Sequence, residues 1–144
     1  MKQLTFTIFG GTGDLTFRKL LPALYNLQAQ HTLEEDFSIV IIGRREYDHD
    51  SYCAEAAGWI KQFARLPYRD DEFLRFANRI HYVRMDFTKL ENYEALNTFY
   101  KDHKLQHHVF YFAVAPRFFA VIAQGLVQVE KACKGKVIIE KPFG

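Results

Sequence analysis

The sequence predicts an α/β fold built on a doubly wound, mainly parallel sheet with helices on both faces. Three observations predict it. Short apolar runs and helical periodicities alternate strictly along the chain, which implies right-handed crossovers between parallel strands. The second strand run, Ser38-Ile39-Val40-Ile41-Ile42, is too apolar for a solvated edge. The first run ends in Gly10-Gly11-Thr12-Gly13 and leads into a helical pattern, the arrangement at which such a sheet receives a phosphate.

Each element has its own signal. Leu4 to Phe9 reads as a short, β-rich strand. Leu15 to Asn26 reads as helix, with Leu20, Leu21, Leu24 and Leu27 on one side. Pro22 lacks a donor and crowds the preceding turn, so it is expected near the first turn of a second helical piece. Phe37 to Ile42 is the second strand, ended by Gly43-Arg44-Arg45. Asp48-His49-Asp50-Ser51 supplies cap candidates for a helix that buries Tyr52, Ala56, Trp59, Ile60 and Phe63 and stops at Pro67. Asp70 and Asp71 open a shorter helix carrying Phe73, Leu74 and Ala77. Ile80 to Met85 is the third strand, and Leu90, Tyr93, Leu96 and Phe99 or Tyr100 mark the next helix. His108 to Val114 is the fourth strand. Pro116 opens a helix with Phe119, Ile122, Ala123, Leu126, Val129 and Cys133 on one face, closed by Gly135. Val137 to Glu140 is the fifth strand.

The bulk properties bound the class. The 144 residues read as one domain, 1–144, without repeat or linker. A hydrophobic content of 49% supplies a core and excludes disorder. A net charge of +2, with both signs spread along the chain, gives no footprint for nucleic acid or an anionic membrane. No run approaches the ~20 apolar residues of a membrane span, and the start does not read as a signal peptide. Cys53 and Cys133 match no metal or redox spacing and read as free, half-buried thiols, which suits a reducing, cytoplasmic location.

The glycine turn carries the chemistry. A phosphate at a helix start meets unpaired N–H groups and the positive end of the helix dipole. A Cβ in the turn holds the phosphate away from the backbone. The spacing is Gly10-x-x-Gly13 rather than G-x-G-x-x-G, and its context between strand and helix is what strengthens it. Asp14 has two readings, a helix cap or a role linked to the ligand. The second signal lies after the second strand. NAD enzymes place an acid there for the ribose 2′-hydroxyl, ~20 residues past the glycines. This chain places Arg44 and Arg45 there, and an arginine fork suits a 2′-phosphate. Glu46 stands beside them and is a candidate partner that weakens the effect.

Three segments resemble one family in order along the whole chain. Gly10-Gly11-Thr12-Gly13-Asp14-Leu15-Thr16-Phe17-Arg18-Lys19 resembles the G-x-x-G-D-L-x-x-x-K signature of glucose-6-phosphate dehydrogenases. Tyr111 to Phe119 is similar to that family's segment after the fourth strand, and Glu140-Lys141-Pro142-Phe143-Gly144 to its E-K-P-F-G motif. The resemblance implies a Rossmann-like coenzyme domain of an enzyme that oxidises glucose 6-phosphate at C1, the first step of the oxidative pentose phosphate pathway, with NADP, or NAD, as hydride acceptor. It implies that Gly10, Gly11, Thr12, Gly13, Asp14 and Leu15 hold the coenzyme diphosphate and Arg44 the 2′-phosphate. Asp86 and Phe87 then lie by the adenine, and Ala115 and Pro116 shape the nicotinamide pocket. Lys19 and Lys141 face the substrate, Lys141 also beside the nicotinamide, with Lys141-Pro142 similar to a cis peptide.

The family's general base is a histidine in an R-I-D-H-Y-L-G-K-E segment absent from this sequence. His31, His49, His81, His103, His107 and His108 stand in other contexts. The expectation is therefore a coenzyme domain that binds without turnover, in a parent that forms a homo-oligomer through a further domain. Two alternatives are a nucleotide-sensing module without catalysis and an extended short-chain reductase. The second needs Tyr-x-x-x-Lys, and Tyr111 is followed at 115 by alanine. His103 and His107 read as surface or helix-end residues, and no metal is expected.

Overall fold

The computed structural model describes residues 3–129 and 135–139. Five strands form one sheet: β1 (Thr5–Phe9), β2 (Ser38–Gly43), β3 (Ile80–Arg84), β4 (His108–Phe112) and β5 (Lys136–Ile139). Their order is β3-β2-β1-β4-β5, and every neighbouring pair is parallel. The chain steps outward from β1 to β3, then returns to lay β4 on the other side of β1. That reversal is the topological switch point, where the crevice of a doubly wound sheet opens at the C-terminal strand ends.

The alternation of side chains along the strands divides the core in two. Ile8, Ile39, Ile41 and Ile80 pack with α1 (Leu21–Ala29), α2 (His49–Phe63) and α3 (Asp70–Ala77). Phe9, Val40, Ile42, Phe110 and Phe112 pack on the opposite face with α4 (Asn92–Asp102) and α5 (Phe119–Leu126). On that face the Thr7 hydroxyl is 2.7 Å from the Tyr100 hydroxyl, so a polar position of the central strand is satisfied inside the core.

Local chemistry explains the element ends. Asp48 caps α2: its carboxylate accepts from the Ser51 N–H at 2.8 Å, and the Ser51 hydroxyl accepts from the Asp48 N–H at 2.9 Å. Pro22 falls in the first turn of a second helical piece, α1, as expected, but the expected break between the pieces does not occur. Thr16–Leu20 forms a π turn in which the Leu21 N–H reaches back to the Thr16 carbonyl, and α1 follows without interruption. The wider turn accommodates a proline that donates nothing and crowds the turn before it. The buried face is Leu21, Leu24, Tyr25 and Gln28, whereas Leu27 is exposed.

Other faces also differ from the pattern reading. Leu74 is exposed, and α3 buries Glu72, Phe76 and Ala77, because the 3–4 spacing of Phe73, Phe76 and Ala77 outweighs a contiguous Phe-Leu pair. Trp59 and Phe63 are half-buried. The Arg18 guanidinium lies over both rings, 5.8 and 5.0 Å from their centroids. Leu90 precedes α4 and is 40% exposed. Pro116–Phe118 is a short 3-10 turn before α5, and Ala123 is exposed. Cys53 is buried, and burial pushes its thiol up to about 11. Cys133 and residues 140–144 lie outside the described residues, so the expectations for Cys133, Glu140, Lys141, the Lys141-Pro142 peptide and the motif they belong to have no structural counterpart. No helix among the described residues is long and apolar enough to cross a membrane.

Candidate functional site

The glycine turn sits between two neighbouring strand ends. Gly11 N–H donates to the Ile42 carbonyl, and Ala113 N–H donates to the Phe9 carbonyl, each at 2.9 Å. Gly10 has φ +87°, and a Cβ there would strike the Ala113 carbonyl oxygen and the Val114 side chain. A Cβ at Gly11 would strike Ile41. Both glycines are therefore required by the approach of β4 and β2, not by a ligand alone. Gly13 differs. It is exposed, and its nearest obstacle to a Cβ is the Gly10 carbonyl at 3.3 Å. Its open side faces solvent at the start of a helix, where the first N–H groups have no acceptor within the helix.

Three contacts hold the turn. Gly13 N–H donates to the Gly10 carbonyl at 3.1 Å, the Thr16 hydroxyl donates to the same oxygen at 3.0 Å, and Phe17 N–H donates to Gly13 at 3.2 Å. Thr12 packs beside Gly43, where a Cβ would meet both its methyl group and the Tyr82 hydroxyl at 2.8 Å. Asp14 does not cap the helix. Its carboxylate pairs with Arg18 one turn on, at 3.1 Å and largely exposed, because Arg18 at i+4 lies on the same side of the helix. Leu15 is half-buried at the helix start.

The arginines stand at the end of β2, one strand from the turn. Arg44 is 74% exposed and reaches toward Asp86, 3.9 Å away. Asp86 is held by the Thr88 hydroxyl at 2.6 Å and its N–H at 2.9 Å, and these bonds lower its pKa. Arg44, Arg84, Met85, Asp86 and Asn92 line a cleft of about 420 Å³. Glu46 does not pair with Arg44 or Arg45. Arg84 takes it instead, at 3.3 Å, because the β2–β3 register sets Arg84 beside Gly43.

The other wall is the segment after β4. Ala113 and Val114 abut Gly10, and Ala115 and Pro116 follow, exposed, at the start of the 3-10 turn. Phe87 packs edge-on against Phe118, with ring centroids 5.3 Å apart. That contact links the loop after β3 to the loop after β4. The structure thus brings Gly10 to Leu15, Arg44, Asp86, Phe87, Ala115 and Pro116 to the C-terminal edge of the sheet. This edge can receive an extended dianionic ligand, with N–H groups at one end and guanidinium groups at the other.

Comparison with known proteins identifies the family. The model of "Glucose-6-phosphate dehydrogenase, NAD binding domain" matches residues 7–144. The chain belongs to this family. A glucose-6-phosphate 1-dehydrogenase of Gluconobacter oxydans is 34% identical over 148 residues, covering 100% of this chain and 30% of its own length. That of Rhizobium meliloti is 30% identical over 146 residues, with coverages of 100% and 30%. The crystal structure of glucose-6-phosphate 1-dehydrogenase from Mycobacterium avium superposes with a TM-score of 0.85 at 28% identity, covering 99% of this chain and 31% of that one. The chain therefore spans about 30% of the length of the glucose-6-phosphate dehydrogenases it matches.

Two family-derived lysines fare differently. Lys19 is exposed on the π turn, whereas Lys141 lies outside the described residues. Sequence reasoning missed the residues that brace this glucose-6-phosphate dehydrogenase domain. The Tyr52 phenol donates to the Gly11 carbonyl at 2.6 Å, and burial pushes its pKa well up. The Tyr82 phenol donates to the Arg45 carbonyl at 2.7 Å. Tyr47 meets both rings edge-on, 5.4 and 5.8 Å away. No local motif announces such a cluster. Tyr47, Tyr52 and Tyr82 are single tyrosines scattered over the loop after β2, α2 and β3, so the sequence carries no local signal for their meeting.

Proposed function

We propose that this chain is the coenzyme-binding domain of a glucose-6-phosphate dehydrogenase that prefers NADP. The observation that carries the preference is Arg44 at the end of β2, lining a cleft beside the glycine turn, where NAD enzymes carry an acid. The open side of Gly13 and the guanidinium of Arg44 fit a group that ends in a diphosphate and a 2′-phosphate. In this reading Gly10 and Gly11 shape the turn, while Thr12, Gly13, Asp14 and Leu15 present the start of the helix to the diphosphate. Arg44 binds the 2′-phosphate through its fork of donors, each charge-assisted bond contributing ~1.5–3 kcal/mol. Asp86 and Phe87 border the adenine side, and Ala115 and Pro116 the nicotinamide side. Lys19 and Lys141 serve the sugar phosphate.

Bound there, the nicotinamide coenzyme supplies the hydride acceptor for oxidation of glucose 6-phosphate at C1 to 6-phosphogluconolactone. The chain's own part is to fix the coenzyme and neutralise its phosphates. The parent enzyme works in the cytoplasm as a homo-oligomer. Titration calorimetry tests the reading. NADP+ is expected to bind more tightly than NAD+, and Arg44→Ala to remove most of the difference. Equal affinities in the native chain, or an unchanged preference in Arg44→Ala, overturn the role given to Arg44.

A further inference from the structure

Glu46, two positions past Arg44, is the acid of the arginine loop. A carboxylate in this loop is the feature that selects against a 2′-phosphate by charge repulsion. Here it is occupied. Arg84, the last residue of β3, pairs with Glu46 at 3.3 Å through Nη1. The same guanidinium donates from Nε to the Arg44 carbonyl at 3.1 Å. Tyr82, two residues earlier and on the same face of the strand, holds the Arg45 carbonyl. Met85 N–H donates to the Gly43 carbonyl at 2.9 Å. Successive carbonyls of the loop are thus tied to β3, and the acid is drawn to the same strand.

We infer that Arg84 is a specificity-setting positioning residue: by pairing with Glu46 it keeps that carboxylate off the 2′-phosphate position. The inference rests on the NADP reading above and adds a second determinant to it. Three groups share the cleft wall with competing charges. Arg44 leans loosely on Asp86 at 3.9 Å, Thr88 occupies the Asp86 carboxylate, and Arg84 occupies Glu46. Without Arg84, Glu46 is free to turn to Arg44 or Arg45 and neutralise the charge that meets the phosphate.

The test is a double-mutant cycle read by titration calorimetry with NADP+ and NAD+ on the chain. Arg84→Gln is expected to weaken NADP+ by about twofold to fivefold, the scale of one exposed charge pair, and to leave NAD+ unchanged. Adding Glu46→Gln is expected to restore most of the NADP+ affinity, which a general structural defect does not permit. Arg84→Lys keeps the pair with Glu46 and is expected to fall between. The Arg84 and Glu46 side chains are 58% and 80% exposed, so thermal unfolding midpoints are expected to stay unchanged. A loss in Arg84→Gln that Glu46→Gln does not rescue overturns the inference, because Arg84 then acts on the phosphate itself or through its bond to the Arg44 carbonyl rather than through Glu46. So does native affinity in Arg84→Gln while Arg44→Ala has lost its preference, a result that leaves the NADP reading standing. Equal binding of both coenzymes by the native chain fails both.

Discussion

The Tyr52 phenol donates a 2.6 Å hydrogen bond to the carbonyl oxygen of Gly11 across 41 positions of sequence. The bond ties α2 to the glycine turn, and both residues are buried. A buried backbone carbonyl needs a donor, and Tyr52 supplies it for Gly11.

Tyr52→Phe leaves that buried carbonyl without its donor while preserving the ring stacked 5.3 Å from Tyr82. The expected cost is about 1–3 kcal/mol of folding stability, measured by chemical denaturation, together with weaker coenzyme binding. Native stability in Tyr52→Phe would show that the bond contributes nothing net.

The glycines separate folding from binding. Gly10→Ala forces a side chain into φ +87° and against the Ala113 backbone. It is expected to destabilise by at least ~2 kcal/mol, the left-handed conformation alone costing about 1–2. Gly13→Ala meets only one carbonyl at 3.3 Å. It is expected to unfold near the native midpoint yet to lose on the order of tenfold in NADP+ affinity, the equivalent of one charge-assisted hydrogen bond. Comparing thermal melts with calorimetry for the two variants decides this. A Gly13→Ala chain that binds like the native one removes the phosphate from the turn.

The surroundings of His49 and His81 displace their pKa values in opposite directions. His49 Nε2 lies 2.9 Å from the Ala77 carbonyl at the end of α3. That oxygen chiefly, helped by Asp50 and Asp48, raises its pKa against a smaller opposing effect of burial. His81 packs against Phe99 and His103, and burial chiefly, then the charge of His103, lowers its pKa. A raised folded-state value stabilises fully below the unfolded pKa of ~6.5 and loses that contribution as pH rises through the folded value. A lowered one destabilises as pH falls below ~6.5. NMR titration is expected to give His49 a midpoint above His81. His49→Gln is expected to cost more stability at pH 6 than at pH 8. The reverse order of midpoints would refute the placement of both rings.

Much of the site was legible because its signals are local. Gly10, Gly13 and the helix after them declare a turn within ten residues, and the apolar runs ending at Phe9 and Gly43 place that turn and Arg44 at the same edge of a parallel sheet. The Asp48–Ser51 cap was readable for the same reason, since partner and backbone lie three residues apart. The buried side of the helix carrying Pro22 was less legible. The π turn at Thr16–Leu20 shifts which residues face the sheet, and no 3.6-residue period anticipates that shift.

The sequence by itself determined the order of strands and helices, the parallel sheet they imply, and the presence of a glycine turn followed by an arginine-bearing strand end. These follow from periodicity and turn chemistry, which act between residues a few positions apart. Only the tertiary structure decided that Gly10 and Gly11 answer to Ala113 and Ile41, that Tyr52 braces the turn, and that Glu46 belongs to Arg84 rather than to its neighbours Arg44 and Arg45. Those outcomes depend on which strands lie side by side and in what register. Arg84 bonds to the Arg44 carbonyl across 40 positions of sequence, and only the pairing of β2 with β3 brings it within reach of Glu46.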